Sequence, residues 1–486
     1  MSSLRLTSIA DLPPRVRRPA YDPAAHGAGI LHLGLGAFHR AHQAVCTDDA
    51  LAAGGGDWRI IGANLRSRDI AQALNDQNGL YTVLERSEQD RARVIAAHAR
   101  AIGGDAVEIL RAACDPAIRI LSLTVSEKAY GIDRTTMDAD TGHPAVAHDL
   151  TQPQAPQGVL GIITAALAAR REAETAPFTV LCCDNLPDNG ALLRAGVTGF
   201  ARRLDPGLAD WIADNVAFPA TMVDRITPAV TDKTLADVEA LTGRCDLACV
   251  ETEPFSQWVI EDHFPQGRPD WEAGGAEFVR DVRAHEAMKL RMLNGSHSLI
   301  AYAGQMLGLP YVRDAVADPD LAPLIRRHMQ AAGTTLPQGA GLDPDSYAVA
   351  LMARFANPAI AHQTRQIAMD GTEKLPQRWF APAAEVLQAG ANARPFALAT
   401  AIWLAWLSQL AASGQAPDDP RGAALLDLAR RAGGDDAALT RSVLALPGLA
   451  PAAVTGNPAF TETVQAMLSR IRRDGLRPVL KAELTA

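Results

Sequence analysis

"ILHLGLGAFHRAHQAV" (30–45) runs four mostly apolar residues into Gly34-Leu35-Gly36 and then into a stretch of helical character. In a strand-turn-helix that binds a dinucleotide, the first glycine permits the tight turn. The second lets the backbone approach a pyrophosphate where the helix starts. Gly34 and Gly36 fill these two places, but His39 stands where a third small residue normally lets helix and strand pack closely. The pattern alone leaves two readings open: a dinucleotide-binding turn, or a glycine-containing turn that holds no nucleotide. A second departure lies at the end of the next strand, where an acidic residue would grip the adenosine ribose. "GANLRSRD" (62–69) offers Asn64, Arg66, Ser67 and Arg68 before Asp69. Arginines there suit a 2′-phosphate, so this strand end admits NADP as well as NAD.

Outward from the turn, residues 29–200 alternate strand-like and helix-like segments, which predicts parallel β/α winding. "GILHLGLG" (29–36) and "WRIIGANL" (58–65) read as strands separated by the helix-like "HRAHQAVCTDDALAAG" (39–54). A further strand is expected within "RARVIAAHARAI" (91–102), and "IRILSLTV" (118–125) and "FTVLCCDN" (178–185) are the clearest buried strands. "GVLGIITAALAARREAE" (158–174) between them has helical spacing. From about residue 280 strand-like runs nearly vanish and alanine-rich helical segments follow one another. The expected architecture is an α/β, Rossmann-type N-terminal domain, 1–280, and a mostly α-helical C-terminal domain, 281–486. The interdomain crossing is expected near 253–275, a stretch rich in aromatics, Pro and Gly.

Composition narrows the class. The chain has 486 residues, 48% hydrophobic and 21% charged, which is ordinary globular composition with length for two domains. A formal net charge of −9 gives no basic footprint for nucleic acid. The N-terminal "MSSLRLTSIADLPPRVRRP" lacks the apolar core of a signal peptide, so a cytoplasmic location is expected. The six cysteines include no C-x-x-C pair and read as buried free thiols. "PFALATAIWLAWLSQLAASGQAP" (395–417) carries no formal charge but is only weakly apolar, and reads as a buried helix rather than a membrane span.

The chemistry-bearing stretch is "HEAMKLRMLNGSHSLIAYAG" (285–304), which reads as a helix carrying Glu286, Lys289, Asn294 and His297. At about 100° per residue, Lys289, Glu286, His297 and Asn294 fall at roughly 0°, 60°, 80° and 140°, so one broad face holds all four. A lysine beside a low-dielectric pocket loses basicity and becomes a general base near neutral pH. Hydride transfer from a secondary alcohol needs such a base, and the alkoxide-like oxygen that develops wants fixed N–H donors. Asn294 supplies one, and Asn185, at the end of "FTVLCCDN", is a second candidate. A solvated charged face with one buried histidine is the plain alternative.

The set "GLGAFHRAH" (34–42), "SLTVSEKAY" (122–130), "CCDNLPDNG" (182–190), "MVDRITP" (222–228), "WVIEDHF" (258–264) and "KLRMLNGSHS" (289–298) strongly resembles the mannitol dehydrogenase family. These are long-chain polyol dehydrogenases, which include fructuronate reductase (mannonate oxidoreductase). The resemblance covers nearly the whole chain in order, and its most specific element is Lys-x4-Asn-x2-His. It implies that the glycine turn is an NAD site in which Phe38-His39 is the expected variation. Gly34, Gly36, Ala37, Phe38, Arg40, Thr124, Asn185 and Asp224 then meet the cofactor. Lys289 is implied as general base, Asn185 and Asn294 as the oxyanion-stabilising pair, and His297 as the residue orienting substrate hydroxyls. Asp224 is implied to lie between nicotinamide and substrate, and Glu286 to pass protons between Lys289 and solvent. Glu127 is a weaker candidate for the same cleft. Asp224-Arg225 also reads as a structural ion pair, and Glu286 as an i,i+3 partner of Lys289. His39 and His42 lie three apart without a third ligand nearby, and the family is metal-independent, so no metal is expected.

Substrate is addressed by "ANPAIAHQTRQIAMDGTEKLPQRW" (356–379). Polyol dehydrogenases of the family often carry an arginine eight residues before the lysine. Counting back from Lys374 gives Gln366, with Arg365 one place off. "QIAMDGxxKLPQR" is more similar to the fructuronate reductase branch, whose sugar-acid carboxylate must be matched by cations such as Arg365, Lys374 and Arg378. The resemblance favours NAD-dependent interconversion of D-mannonate and D-fructuronate, with mannitol 2-dehydrogenase or another polyol dehydrogenase as runner-up. A non-catalytic nucleotide-binding protein is the alternative of another class. The expected partner is a small sugar acid or polyol, with neither nucleic acid nor membrane involved, and the chain is expected to be a monomer or small homo-oligomer.

Overall fold

The computed structural model describes residues 4–339 and 341–485. The chain divides into two compact units, Met1–Arg283 and Ala284–Ala486.

In the first unit, five strands form a parallel sheet: β1 (Ala28–Leu33), β2 (Arg59–Asn64), β3 (His98–Gly103), β4 (Ile120–Leu123) and β5 (Thr179–Cys182), in the order β3-β2-β1-β4-β5. Successive strand residues point to opposite faces, and both faces are buried. Leu31, Leu33, Leu121, Leu123, Val180 and Cys182 pack with helices Ala106–Cys114, Val159–Glu172 and Asn189–Leu204. Ile30, Ile60, Ile120, Leu181 and Cys183 pack on the other side with helix Gln43–Gly54. The strand order reverses between β1 and β4, which opens a crevice at their carboxyl ends.

Two expectations are corrected here. The stretch 91–102 holds two strands, Arg91–Ile95 and His98–Gly103; the first pairs antiparallel with Tyr81–Glu85, and only the second joins the main sheet. The stretch 253–275 is no interdomain crossing but part of the first unit, where Gln257–Glu261 pairs with Thr221–Asp224 and Ala276–Val279. Its two tryptophans are core residues: Trp258 and Trp271 are buried with ring centroids 4.7 Å apart, and Trp271 Nε1 donates to Thr47 Oγ1 at 3.0 Å.

The second unit is helical. Arg394–Ala412 is long and apolar enough to cross a membrane by composition, but every residue from Phe396 to Leu407 is buried in this unit's core, against helices Gly295–Leu307 and Pro458–Asp474. All six cysteines are free thiols, with Cys46, Cys182, Cys183 and Cys249 buried and Cys114 and Cys245 partly so.

Candidate active site

The glycine turn explains both its glycines and its missing one. Gly34 has φ +104°, and a Cβ on it would lie 2.1 Å from Thr124 O, so neither the conformation nor the space admits a side chain. A Cβ on Gly36 would meet nothing nearer than 4.0 Å, so its outer side is left open for a ligand. The following helix is short, Ala37–Ala41, and breaks at His42 before Gln43–Gly54.

His39 is no obstacle to close packing, because its flat ring stacks on that of His32 in β1 at 3.4 Å between centroids, with 13° between planes. His39 Nε2 lies 3.1 Å from His98 Nε2 in β3, and Tyr81 stands edge-on to His98. His32 is bonded on both sides, to Ser122 Oγ at 2.8 Å and to Thr124 Oγ1 at 2.9 Å, and Thr124 Oγ1 also donates to Gly34 O at 2.8 Å. Burial drives all three imidazoles to the neutral form: His32 and His98 fall to about 3, and His39 falls well below the usual range, pushed further by His32, His98 and Arg40. The stack thus ties three strands to the turn.

A cavity of about 540 Å³ opens in front of this turn, bordered by Gly34, Gly36, Asn64, Arg66, Ser67 and Thr124. Its size, the bare face of Gly36 and its place at the switch point of the sheet fit a dinucleotide. Asn64 Oδ1 accepts the Leu35 amide at 2.9 Å, so this residue braces the turn. Ser126, also on the cavity, has φ +81°, a conformation that costs a non-glycine residue about 1–3 kcal/mol and is concentrated at ligand sites. Arg40 is buried and donates to the carbonyls of Ala248 and Cys249. His42 Nε2 lies 3.0 Å from Gln257 O.

Asn185 is exposed just beyond β5. The loop is fixed by residues that sequence reasoning passed over within the quoted "CCDNLPDNG". Asp184 accepts from Val125 N at 2.9 Å and Tyr130 Oη at 2.6 Å, and Asn189 Nδ2 donates to Asp184 O at 3.1 Å and to Thr221 O at 2.9 Å. Asp224 closes strand Thr221–Asp224 and is buried. Its neighbour Arg225 is structural: it donates to Glu253 O and Ala41 O and lies 3.5 Å from Glu85. Glu127 sits in an exposed turn, paired with Arg134 at 3.0 Å.

In the second unit, the helix carrying the Lys-x4-Asn-x2-His set is not a regular α-helix. Arg283–Met288 and Gly295–Leu307 are α-helical, and Lys289–Asn294 between them is a π turn. An i→i+5 turn takes about 4.4 residues, about 82° each, so the separation of Lys289 and Asn294 falls from the 140° of a regular wheel to roughly 50°. With three α steps onward to His297 and three back to Glu286, all four lie within roughly 70° on a narrow stripe. Lys289 and His297 are buried, and Glu286 and Asn294 are half-buried.

A second π turn, Pro376–Phe380, packs against the first. Arg378 Nη1 donates to Ser298 Oγ at 3.0 Å and Asn294 O at 3.3 Å, and Trp379 Nε1 donates to Gly295 O at 2.9 Å. Burial lowers Arg378 to about 10, which leaves it charged at neutral pH. His297 is driven well below the usual imidazole range by burial, with His362, Arg354 and Arg378 adding to the effect. Arg354, His362 and Phe355, none singled out from the sequence, surround it: its ring lies 4.5 Å from Phe355 and 5.2 Å from His362.

The other two predicted cations have separate surroundings. Lys374 donates to Met369 O at 2.7 Å and pairs with Asp370 at 3.3 Å, within its own turn. Arg365 is exposed and borders a cavity of about 490 Å³ with Gln305 and Tyr311.

The profile of the mannitol dehydrogenase Rossmann domain matches residues 28–273, and that of the mannitol dehydrogenase C-terminal domain matches 281–472. D-Mannonate oxidoreductase of Escherichia coli K12 is 40% identical over 487 residues, covering 98% of this chain and 100% of the relative. Mannitol 2-dehydrogenase of Cereibacter sphaeroides is 39% identical over 480 residues, covering 97% and 99%. Among solved structures, the Pseudomonas fluorescens mannitol 2-dehydrogenase ternary complex with NAD and D-mannitol superposes with a TM-score of 0.80 at 35% identity, covering 99% of both chains. With both domains matched in order and full-length relatives at this identity, the chain belongs to the mannitol dehydrogenase family of oxidoreductases.

Proposed function

We propose that the protein is an NAD-dependent oxidoreductase that interconverts D-mannonate and D-fructuronate without a metal. NAD, held at the glycine turn, supplies the hydride acceptor. Lys289 takes the proton of the reacting hydroxyl, the Asn294 and Asn185 amides donate to the oxygen as it gains negative charge, and His297 orients neighbouring hydroxyls. Glu286, about one turn from Lys289, passes the proton on towards solvent, and Asp224 contributes to holding nicotinamide and substrate.

The observation that carries the sugar-acid reading is Arg378. A half-buried guanidinium, charged at neutral pH and bonded to Ser298 and Asn294 O beside His297, is the counter-charge that a carboxylate needs in a partly desolvated site. A polyol carries no charge to be matched there. The 40% identity to D-mannonate oxidoreductase over its whole length is in keeping with this. Mannitol 2-dehydrogenase is the second reading, favoured by the similarity to the mannitol-bound structure. Comparing kcat/KM for fructuronate and fructose with NADH tests the choice. Fructuronate is expected to be preferred, and a decisive preference for fructose overturns the sugar-acid reading.

A further inference from the structure

His297 is followed through the fold by a second imidazole. The helix Pro344–Phe355 ends with Phe355 against the His297 ring, and the chain returns seven residues later with the His362 ring edge-on to His297, at 82° between planes. The backbone of this return is pinned: Val312 N donates to His362 O at 3.0 Å, and Tyr311 pairs with Gln363 in an isolated antiparallel bridge. Nε2 of His297 and Nδ1 of His362 are both buried without a hydrogen-bond partner. His297 as a whole is only 7% exposed. A buried polar atom without a partner is a standing penalty, and natural folds retain few of them. The two rings adjoin, 5.2 Å between centres, so both open positions belong to one neighbourhood.

The chemistry of a molecule that would complete them follows from the state of the rings. Burial and the neighbouring arginines keep both imidazoles neutral. A neutral imidazole offers one donor and one acceptor, and which nitrogen is which depends on the tautomer. A hydroxyl both donates and accepts, so it completes either tautomer, whereas a carboxylate only accepts.

We infer that His362 is a substrate-binding residue whose Nδ1, beside Nε2 of His297, hydrogen-bonds hydroxyls of an open-chain sugar substrate next to the reacting carbon. The inference rests on the oxidoreductase reading above but not on the choice between sugar acid and polyol.

Three variants test it: His362→Leu removes the hydrogen bond, His362→Asn keeps an amide near the δ position, and His362→Gln moves it outward. Folding of each is checked by thermal melting and by NADH titration, and kinetics use the ketose that the unmutated protein reduces best. His362→Leu is expected to raise KM at least about tenfold with a smaller loss in kcat, and His362→Asn to recover more of it than His362→Gln. Against ketoses lacking single hydroxyls, one deoxy position is expected to cost the parent as much as His362→Leu does, with no further cost when both are combined. A His362→Leu variant with parental KM overturns the inference, as do equal losses for Leu and Asn or full additivity across the deoxy series. A parent that prefers fructose overturns the sugar-acid reading while leaving the His362 pattern to stand. Failure to reduce either ketose overturns both.

Discussion

The glycine turn and the helix that carries Lys289 break local rules in opposite ways. At the turn the backbone follows the expected strand-turn-helix course and a side chain is out of pattern: His39 occupies the place of a small residue and is absorbed by stacking on His32. Along 283–307 the side chains follow a spacing that a wheel can read, and the backbone is out of pattern, widened into a π turn between Lys289 and Asn294. A foreign side chain in a regular frame is corrected by neighbours distant in sequence. An irregular frame moves every residue beyond it, and here the movement gathers four polar groups onto one stripe. Departures of this kind concentrate where function outweighs local consistency.

The sharpest contrast between the two regions is expected from Lys289→Ala. If the π stripe does chemistry and the turn does binding, turnover falls by several orders of magnitude while NADH affinity stays near the parental value. Single-turnover kinetics beside an NADH fluorescence titration separate the two, and equal loss in both contradicts the division. Asn294→Ala and Asn185→Ala are each expected to cost roughly a hundredfold in kcat, the usual scale for one oxyanion donor. Near-parental rates in both would remove the amides from the mechanism.

The histidine stack predicts a pH effect in the first region, to which the buried His297 and His328 of the second add in the same direction. His32, His39 and His98 are neutral in the fold, whereas an unfolded histidine takes up a proton near pH 6.5. The unfolded chain therefore binds more protons below pH 6.5, and stability falls as pH is lowered from there towards 3, by up to about 1.4 kcal/mol per pH unit for each histidine. Asp48, Asp184 and Asp246, raised by burial, oppose this at the acid end. Urea midpoints at pH 7.5 and 5.5 measure it; the lower pH is expected to give the lower midpoint, and His39→Phe, which keeps a flat ring, the smaller drop. A midpoint independent of pH would mean that the stack is not neutral in the fold.

The smallest effect concerns cofactor choice. NADH is expected to bind more tightly than NADPH, with NADPH binding still measurable. No acidic residue stands among the described residues bordering the cavity, Asn64 is engaged with the turn, and Arg66 and Ser67 border the cavity just beyond β2, the strand end that meets the adenosine ribose in such folds. Arg66→Ala is expected to weaken NADPH by about tenfold, the loss of one charge-assisted hydrogen bond. Fluorescence titration with both cofactors checks this, and NADPH binding tighter than NADH would reverse the assignment.

Much of this was legible from residue order. Apolar runs bounded by polar residues marked β1, β2, β4 and β5, and the change of character near 280 marked the helical unit, because period and composition are local properties. The division of 91–102 into two strands was not legible, since a single apolar run does not reveal which sheet each half joins. The aromatics of 253–275 looked like linker residues because their partner, the helix Gln43–Gly54, lies about two hundred positions away in the chain. Lys289, Asn294 and His297 were visible as a motif. The π turn beneath them was not, because no residue type marks one, and His362 and Arg354 reach His297 only through folding of distant segments.

A π turn is one residue more than an α-helix needs, so this helix has a phase as well as a composition. Excising Leu290, a half-buried residue within it, lets the ladder close to i→i+4 and yields a more regular helix. Four α steps then set Lys289 roughly 40° from Asn294, against roughly 50° across the π turn, so the bearing is kept. Such a chain keeps Lys289, Asn294, His297 and Glu286 on one stripe, whereas straightening the turn with every residue in place would swing Lys289 out to roughly 140° from Asn294. A search for Lys-x4-Asn-x2-His would pass over that chain although its stripe is intact, because the interval along the sequence and the bearing around the axis are separate properties.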